Sequence, residues 1–539
     1  MKTIGGQKFK QMLVAGANRL EKDKKIVDEM NVFPVPDGDT GTNMSLTVTS
    51  AVKEVLAVQT DSCADIAKAL SSGALRGARG NSGVIVSQLF RGMSKALKGF
   101  DTIDAFLFAQ ALSRGVATAY KAVMKPKEGT ILTVAKAAAA KADEISKEAD
   151  DLALIMENTV LAAEDMLEQT PELLPVLKEA GVVDSGGKGL CLMYRGFLEA
   201  LLREDDTIDP VIALGQGEAS EEPQKEAMFC TELLVLTGSA SEAEEGLAKI
   251  RKELRGMGQD LETGTVSSQL MIRIHTPHPG EVLEKALALG NLKEIKIENM
   301  EVSHRHILKI EEPAKKNEPR KAVGFLAISV GDGLEQIFSE LGVDKVLSGG
   351  QTMNPSTDDI LHGAAQINAD HIIVLPNNKN IILAAKQAAL MSKDKTIHVL
   401  PSKSVPQGIT AMISYVPDDS LEDNLARMEE SMELVTSGAV TYAVRDTHMG
   451  DFAIKEGNIL ALRNGDICQV GEDLMDTTRL LVDQMITDET GIFTIYYGLD
   501  SSKEDAETLS AYILENYPDT EVEIQEGDQP IYYFLLSAE

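Results

Sequence analysis

The chain has 539 residues, 84 of them Asp or Glu against 52 Lys or Arg, giving a formal charge of −32. At 43% hydrophobic residues it can pack several cores, so general disorder is excluded, and the length predicts about three or four domains. Aromatics are 4% and Trp is absent, which excludes a nucleic-acid binder built on basic stripes or stacking platforms, and an anionic membrane surface as main partner.

The segment Met1–Gln7 carries a charge but no apolar stretch of signal-peptide type. No apolar run reaches the roughly 18 residues of a membrane-crossing helix. Cys63, Cys191, Cys230 and Cys468 are too scattered for a disulfide framework. A reducing, cytoplasmic setting is expected.

Helical spacing of Phe9, Met12, Leu13, Ala17 and Leu20 predicts a helix over Phe9–Met30. The pattern continues over Leu46–Val58, Leu70–Leu97, Phe106–Val123, Ile131–Ile145 and Thr159–Leu167, with polar, Gly-rich interruptions and no strands. An all-α bundle or barrel with loops at its rim is expected. Glu204–Glu226 is acidic, aperiodic and broken by Pro210 and Pro223, so it reads as a linker. Beyond it, Phe229–Thr237 and Gln269–His275 read as strands, and Ser241–Leu254 and Gly280–Leu289 as helices. This is a small α+β module. A second polar stretch, Glu311–Lys321, precedes an alternation of strands (Ala322–Val330, Val343–Leu347, His371–Leu375, Thr396–Leu400) and helices (Leu334–Leu341, Ser356–Asn368, Ile381–Leu390). That rhythm predicts a parallel α/β sheet. Hairpin signals follow at Glu456–Asn458 and Arg463–Asp466. The chain thus reads as domains 1–205, 227–312 and 320–539, with 206–226 as acidic linker.

Chemistry concentrates in the helical part. In Asn31–Met44, Pro34 and Pro36 exclude a helix. Asp37 and Asp39 then stand one residue apart in a Gly-containing turn. Two such carboxylates about 4 Å apart repel by about 4 kcal/mol at an effective dielectric near 20. A hard cation relieves this, and Mg²⁺ takes one or two carboxylates together with phosphate oxygens and water. Thr40, Thr42 and Asn43 stand at the start of the next helix, where phosphate is favoured. The alternative is an acidic turn that only caps a helix. Arg76–Gly83 (RGARGNSG) is a candidate anion cradle, although taken alone it reads rather as an interhelical turn with a Gly C-cap. Lys125–Thr130 (KPKEGT) and Gly181–Gly189 (GVVDSGGKG) are two further loops of this kind.

These motifs resemble the ATP-binding domain of dihydroxyacetone kinases, and more closely that of the bacterial fatty acid kinase catalytic subunit. The resemblance extends to Gly331–Asp344, Gly349–Ile360 and Leu375–Ala385. It implies a helical barrel binding ATP at one rim, a middle domain with a candidate zinc site, and a DegV-like α/β C-terminal domain that docks a fatty-acid-binding carrier protein. A homodimer is also implied. By position, Asp37 and Asp39 match Mg²⁺ ligands. Thr40, Thr42, Asn43, Gly80, Asn81, Ser82, Thr130, Asp184, Ser185 and Gly186 match nucleotide-contacting positions. A third metal-binding Asp of dihydroxyacetone kinases falls at Asn31 or Val32, a neutral residue here. The middle domain's zinc set would be Cys230 and His275, with Arg273 standing where the family has a first His. His278 is a substitute, and His304 or His306 could complete the shell. A buried Cys with surface His residues is the alternative.

The resembled reaction transfers the γ-phosphate of ATP to a fatty acid carboxylate, giving an acyl phosphate. A carboxylate is ionised at pH 7 and needs no general base, which fits the absence of His from residues 1–205. Asp37 and Asp39 would act through Mg²⁺, and Arg79 is a candidate for charge stabilisation. The alternatives are a dihydroxyacetone-type kinase of a small hydroxy-ketone and a non-enzymatic nucleotide-binding scaffold.

Overall fold

A computed structural model describes residues 1–31, 38–123, 125–214, 229–237, 239, 246–247, 249–252, 254, 257, 259–266, 269–299, 320–350 and 354–539. The chain forms two compact units. Residues 1–217 and 319–539 make one, and residues 218–318 the other.

The first 200 residues are helical: α1 (Gly6–Glu29), α2 (Thr40–Ala57), α3 (Cys63–Gly77), α4 (Gly80–Ala96), α5 (Ala105–Ala122), α6 (Ile131–Ser146), α7 (Leu152–Leu173), the short α8 (Pro175–Ala180) and α9 (Ser185–Leu202). Each of α1 to α7 packs against the next, α9 packs on α7, and α9 also returns onto α1. The stripe read from α1 is the buried one, with Phe9, Met12, Leu13, Ala17 and Leu20 inside. The helical run Leu70–Leu97 is in fact two helices, because Ala78 and Arg79 take extended backbone between α3 and α4. Two-residue strands were not expected here, but β1 (Thr3–Ile4) pairs antiparallel with β2 (Ile103–Asp104). The stretch after α9 is held to α1. The amide of Gln11 donates to the carbonyls of Asp205 and Thr207, and that of Asn18 to Pro210.

The 218–318 unit has β3 (Phe229–Leu236), β4 (Gln259–Val266), β5 (Gln269–Thr276), α10 (Pro279–Leu287) and β6 (Asn291–Asn299). Its strands form one antiparallel sheet in the order β4-β5-β3-β6. Its core holds Leu233, Val235, Ile272, Ile274 and Val282. β4 and β6 are absent from the sequence reading.

The C-terminal part begins with β7 (Lys321–Ser329), α11 (Asp332–Glu340), β8 (Lys345–Ser348), α12 (Thr357–Gln366), β9 (Ala369–Leu375), α13 (Ile382–Met391) and β10 (Thr396–Val399). The strands form the expected parallel sheet, in the order β10-β9-β7-β8. After α14 (Val405–Ile413) and α15 (Leu421–Leu434) come β11 (Thr436–Tyr442), β12 (Thr447–Met449), β13 (Phe452–Ile454), β14 (Ile459–Arg463), β15 (Asp466–Gly471), α16 (Leu474–Met485), β16 (Ile492–Tyr497), α17 (Lys503–Asn516), β17 (Glu521–Glu526) and β18 (Phe534–Ala538). They build a second sheet, β15-β14-β11-β18-β16-β17. The predicted hairpin at Arg463–Asp466 joins β14 to β15, with Asn464 (φ 52°) and Gly465 (φ 88°) in the left-handed conformation that such a turn requires. Glu456–Asn458 is a turn but not a hairpin, because β13 pairs with β12 and β14 with β11 and β15.

The helical and C-terminal parts share apolar core. Ala78 and Val84 are buried in one cluster with Leu326, Ile360, Ala364 and Ala385. Among the described residues, no helix is long and apolar enough to cross a membrane.

Candidate active site

Antiparallel packing of successive helices brings the loops before α2, α4, α6 and α9 to one rim. Their contacts confirm it. Asn31, after α1, accepts hydrogen bonds at Oδ1 from Thr40 Oγ1 (2.8 Å) and Ser185 Oγ (3.5 Å). Asn43 lies so close to the start of α4 that a Cβ on Gly80 would fall 2.7 Å from its Nδ2, and Gly80 has φ +57°, so only glycine suits this place. The Asp184 carboxylate accepts from the backbone N–H groups of Gly187 and Ile131, tying α9 to α6.

Asp39 is the residue before α2, and its side chain makes no cap bond to that helix. Asp28 does that work instead. Its carboxylate accepts from the N–H groups of Gly41 (2.7 Å) and Thr42 (3.1 Å) and from the Thr42 hydroxyl (2.8 Å). Burial raises the Asp28 carboxyl above its ordinary value, and these hydrogen bonds work in the opposite direction. The Thr42 hydroxyl is therefore committed to α1. Asp37 lies outside the described residues.

Arg79 precedes α4, and its backbone N–H donates to Thr47 Oγ1 (3.2 Å). Asn81 and Ser82 follow in the first turn of α4. Thr130 precedes α6, and its hydroxyl donates to the Lys127 carbonyl (2.9 Å). Asp184 caps α9 through Gly187 N–H at 2.7 Å, with Ser185 and Gly186 in the first turn. Burial pushes the Asp184 carboxyl up to about 6, although the amides of Gly187 and Ile131 pull it down.

The rim is also met by the C-terminal part. Asn354 Nδ2 donates to Asp39 Oδ2 at 2.5 Å. Arg79 donates to the Asn354 carbonyl (2.7 Å) and pairs with Asp359 (3.2 Å). The Thr357 N–H donates to the Ala78 carbonyl at 3.0 Å. Asn81 Nδ2 donates to Asn380 Oδ1 at 3.2 Å. Arg445 donates to the carbonyls of Glu29 and Asn31. Asn354 is 1% exposed, and its Oδ1 is buried with no hydrogen-bond partner among the described residues.

Two FakA-like fatty acid kinase models match the chain, the middle domain over residues 226–307 and the C-terminal domain over residues 324–539. The DAK2 domain matches residues 34–199. Protein YloV of Bacillus subtilis is 44% identical over the whole of both chains. The chain belongs to the FakA-like fatty acid kinase family. Uncharacterized protein SSP1546 of Staphylococcus saprophyticus is 42% identical, with 99% of each chain covered. Among solved structures, the dihydroxyacetone kinase from C. freundii in complex with AMP-PNP and Mg²⁺ aligns with 35% of this chain and 33% of its own, at 19% identity and a TM-score of 0.28.

For this FakA-like chain, the rim gathers Asp39, Thr40, Asn43, Gly80, Asn81, Asp184, Ser185 and Gly186. Asp28, Asn354, Asp359 and Arg445 escaped the sequence reading. In the 218–318 unit the β3–β5 register sets Cys230 opposite His275. The side chains of both, and all of His304 and His306, lie outside the described residues, while His278 is exposed at the start of α10. Among the described residues no three His, Cys, Asp or Glu side chains form a metal-holding group. The zinc expectation therefore gains no support.

Proposed function

We propose that the chain is the catalytic subunit of a fatty acid kinase, transferring the γ-phosphate of ATP to the carboxylate of a fatty acid presented by a separate carrier protein. A carboxylate oxygen bonds to the γ-phosphorus, the bond from that phosphorus to the β,γ-bridging oxygen breaks, and acyl phosphate and ADP leave. The observation that carries this reading is the convergence of three loops around Asp39, tied by Asn31–Thr40, Asn31–Ser185 and Asn43–Gly80. No histidine lies in residues 1–205, and this acceptor needs no base.

The residue that suits a hard cation is Asp39, whose carboxylate stands at the rim and makes no cap bond to α2. Mg²⁺ would be held by Asp39 with Asp37, and when bound it neutralises phosphate charge. The chain's own part is positioning. The N–H groups at the starts of α4 and α9 face the phosphates, with Gly80, Asn81, Ser82, Ser185 and Gly186 in those turns. Thr40, Asn43, Thr130 and Asp184 shape the walls. Arg79 acts by fixing the C-terminal part against the rim, through Asp359 and the Asn354 carbonyl. The C-terminal α/β part docks the carrier.

The test is ATP turnover with a fatty-acid-loaded carrier. Asp39→Ala is expected to lower kcat by at least about a hundredfold, with an unchanged circular dichroism spectrum. Near wild-type turnover would remove Asp39 from the mechanism. Turnover of free dihydroxyacetone without any carrier would replace this reading with a hydroxy-ketone kinase.

A further inference from the structure

α4 is flanked by α5 on one side and by α13, from the C-terminal part, on the other. α13 runs alongside α4 in the same direction, and two side-chain hydrogen bonds tie them, Asn81–Asn380 at 3.2 Å and Gln88–Gln387 at 2.9 Å. On the α5 side the backbones meet closely, because a Cβ on Gly92 would fall 2.3 Å from the Arg114 carbonyl oxygen. A cavity of about 460 Å³ opens between α5 and α13, with Val84 and Gln88 of α4 buried at its floor.

Helical spacing turns cations into this cavity. Arg91 and Lys95 lie one turn apart on α4, Arg114 and Lys121 two turns apart on α5, and Lys386 is on α13, and all five line it. Among the described residues no Asp or Glu does. Nor do Arg91, Lys95, Arg114 or Lys121 pair with a carboxylate among the described residues. The cause lies in the sequence. Residues 66–100, 105–127 and 371–393 contain no Asp or Glu, in a chain that carries 84 of them. Cations gathered without a counter-charge repel one another. Gln387 adds a nearly buried donor at the same place. It is 7% exposed, its oxygen accepts from Gln88, and its amide nitrogen donates to no group among the described residues.

This donor set selects a phosphate-class anion. Guanidinium forks match phosphate oxygens in pairs, and ammonium groups serve them as point charges. A singly charged anion leaves most of the five cations unbalanced, so a multivalent one is favoured. The volume lies within the range of small-molecule sites. A small molecule reaches Gln88 and Gln387 at the floor, whereas the face of a protein partner rests on the exposed rim of Lys95, Arg114 and Lys121. Leu383 and Leu390 give the organic part of such a compound an apolar wall. Arg91 and Lys95 stand roughly 16 and 22 Å along α4 from Gly80, so phosphates held at the start of α4 do not reach them.

We propose that this groove is a second ligand site, separate from the rim, which takes a soluble multivalent phosphate compound. The inference goes beyond the kinase reading and does not depend on it. α4 and α5 supply one side of the site and α13 the other. The ligand therefore bridges the two parts that share the core around Ala78 and Val84, and its binding strengthens their junction.

The experiment titrates inorganic pyrophosphate into the whole chain by calorimetry, in metal-free buffer so that Mg²⁺-dependent binding at the rim is suppressed. The double variant Arg91→Gln/Arg114→Gln is expected to weaken binding about tenfold or more. Lys95→Gln/Lys121→Gln, at two exposed positions, decides the matter if the arginine variant fails to fold. Arg114→Glu sets a carboxylate among the remaining cations. Its melting temperature in phosphate-free buffer is expected to exceed the wild type's, and the rise that pyrophosphate gives the wild type should be lost. Arginines that serve packing alone give the reverse, a lower melting temperature with an undiminished pyrophosphate response, and that result overturns the site. Wild-type pyrophosphate affinity in both double variants overturns it too, because the anion then binds elsewhere. So does a wild type that binds no pyrophosphate while its double variants lose affinity for the carrier, which makes the groove a docking face.

Discussion

Asp184 is a partly buried carboxylate that caps α9 through the Gly187 N–H. Its folded pKa of about 6 stands above the ordinary 3.8, so the folded state binds its proton more tightly than the unfolded chain does. The stabilisation this brings is full below the ordinary value and is lost as pH rises through about 6. Asp184→Asn keeps a capping oxygen and removes the titration. Its stability relative to wild type should therefore rise between about pH 4 and pH 6 and then level off, as read from urea denaturation at each pH. A difference that stays flat across this window would place the Asp184 pKa near its ordinary value. Asp184 was legible in the sequence because a Gly-rich turn surrounds it. Asp28 was not, since an acid in the last turn of an amphipathic helix reads as solvated surface. Asn354 was equally silent, because nothing within its own few residues marks it as facing Asp39.

Helices were the most readable elements, since a buried stripe at 3.6-residue spacing repeats along each one. The starts of helices were readable where the capping side chain is local, as at Ser356 and α12. α2 is different, because its cap arrives from another helix. Asp28→Ala leaves the Gly41 and Thr42 N–H groups and the Thr42 hydroxyl without their acceptor. A loss of about 1–2 kcal/mol in unfolding free energy is expected, and an unchanged denaturation midpoint would show that water replaces the carboxylate at no cost. Strands were less legible. β6 reads Asn-Leu-Lys-Glu-Ile-Lys-Ile-Glu-Asn at the edge of its sheet, and Ile295 and Ile297 are both largely exposed there, so no buried alternation marks it. At Glu456–Asn458 the chain bends as its Gly457 dictates, but turn chemistry specifies a bend and not which strands then pair.

At the scale of the molecule, the 218–318 unit is inserted between two stretches of sequence that together make one body. The sequence divides readily into three pieces, but it carries no periodic signal that the first and last share a core through Ala78 and Val84. The buried Gln88–Gln387 hydrogen bond at 2.9 Å crosses the same junction. A protease site engineered within residues 218–318 tests the junction. After cleavage the two fragments should co-elute in native gel filtration and separate only under denaturing conditions, and separation without denaturant would mean that the shared core is too weak to hold them. The contact between Asp39 and Asn354 spans 315 residues of chain. At roughly 5–20 residues per second, a ribosome delivers the second residue on the order of tens of seconds after the first. The helices of the rim can pack in that interval, but Asp39 still waits for Asn354. A nascent chain therefore spends most of its synthesis with its helical rim unmet by the C-terminal part, and translation itself sets the earliest moment at which the two can join.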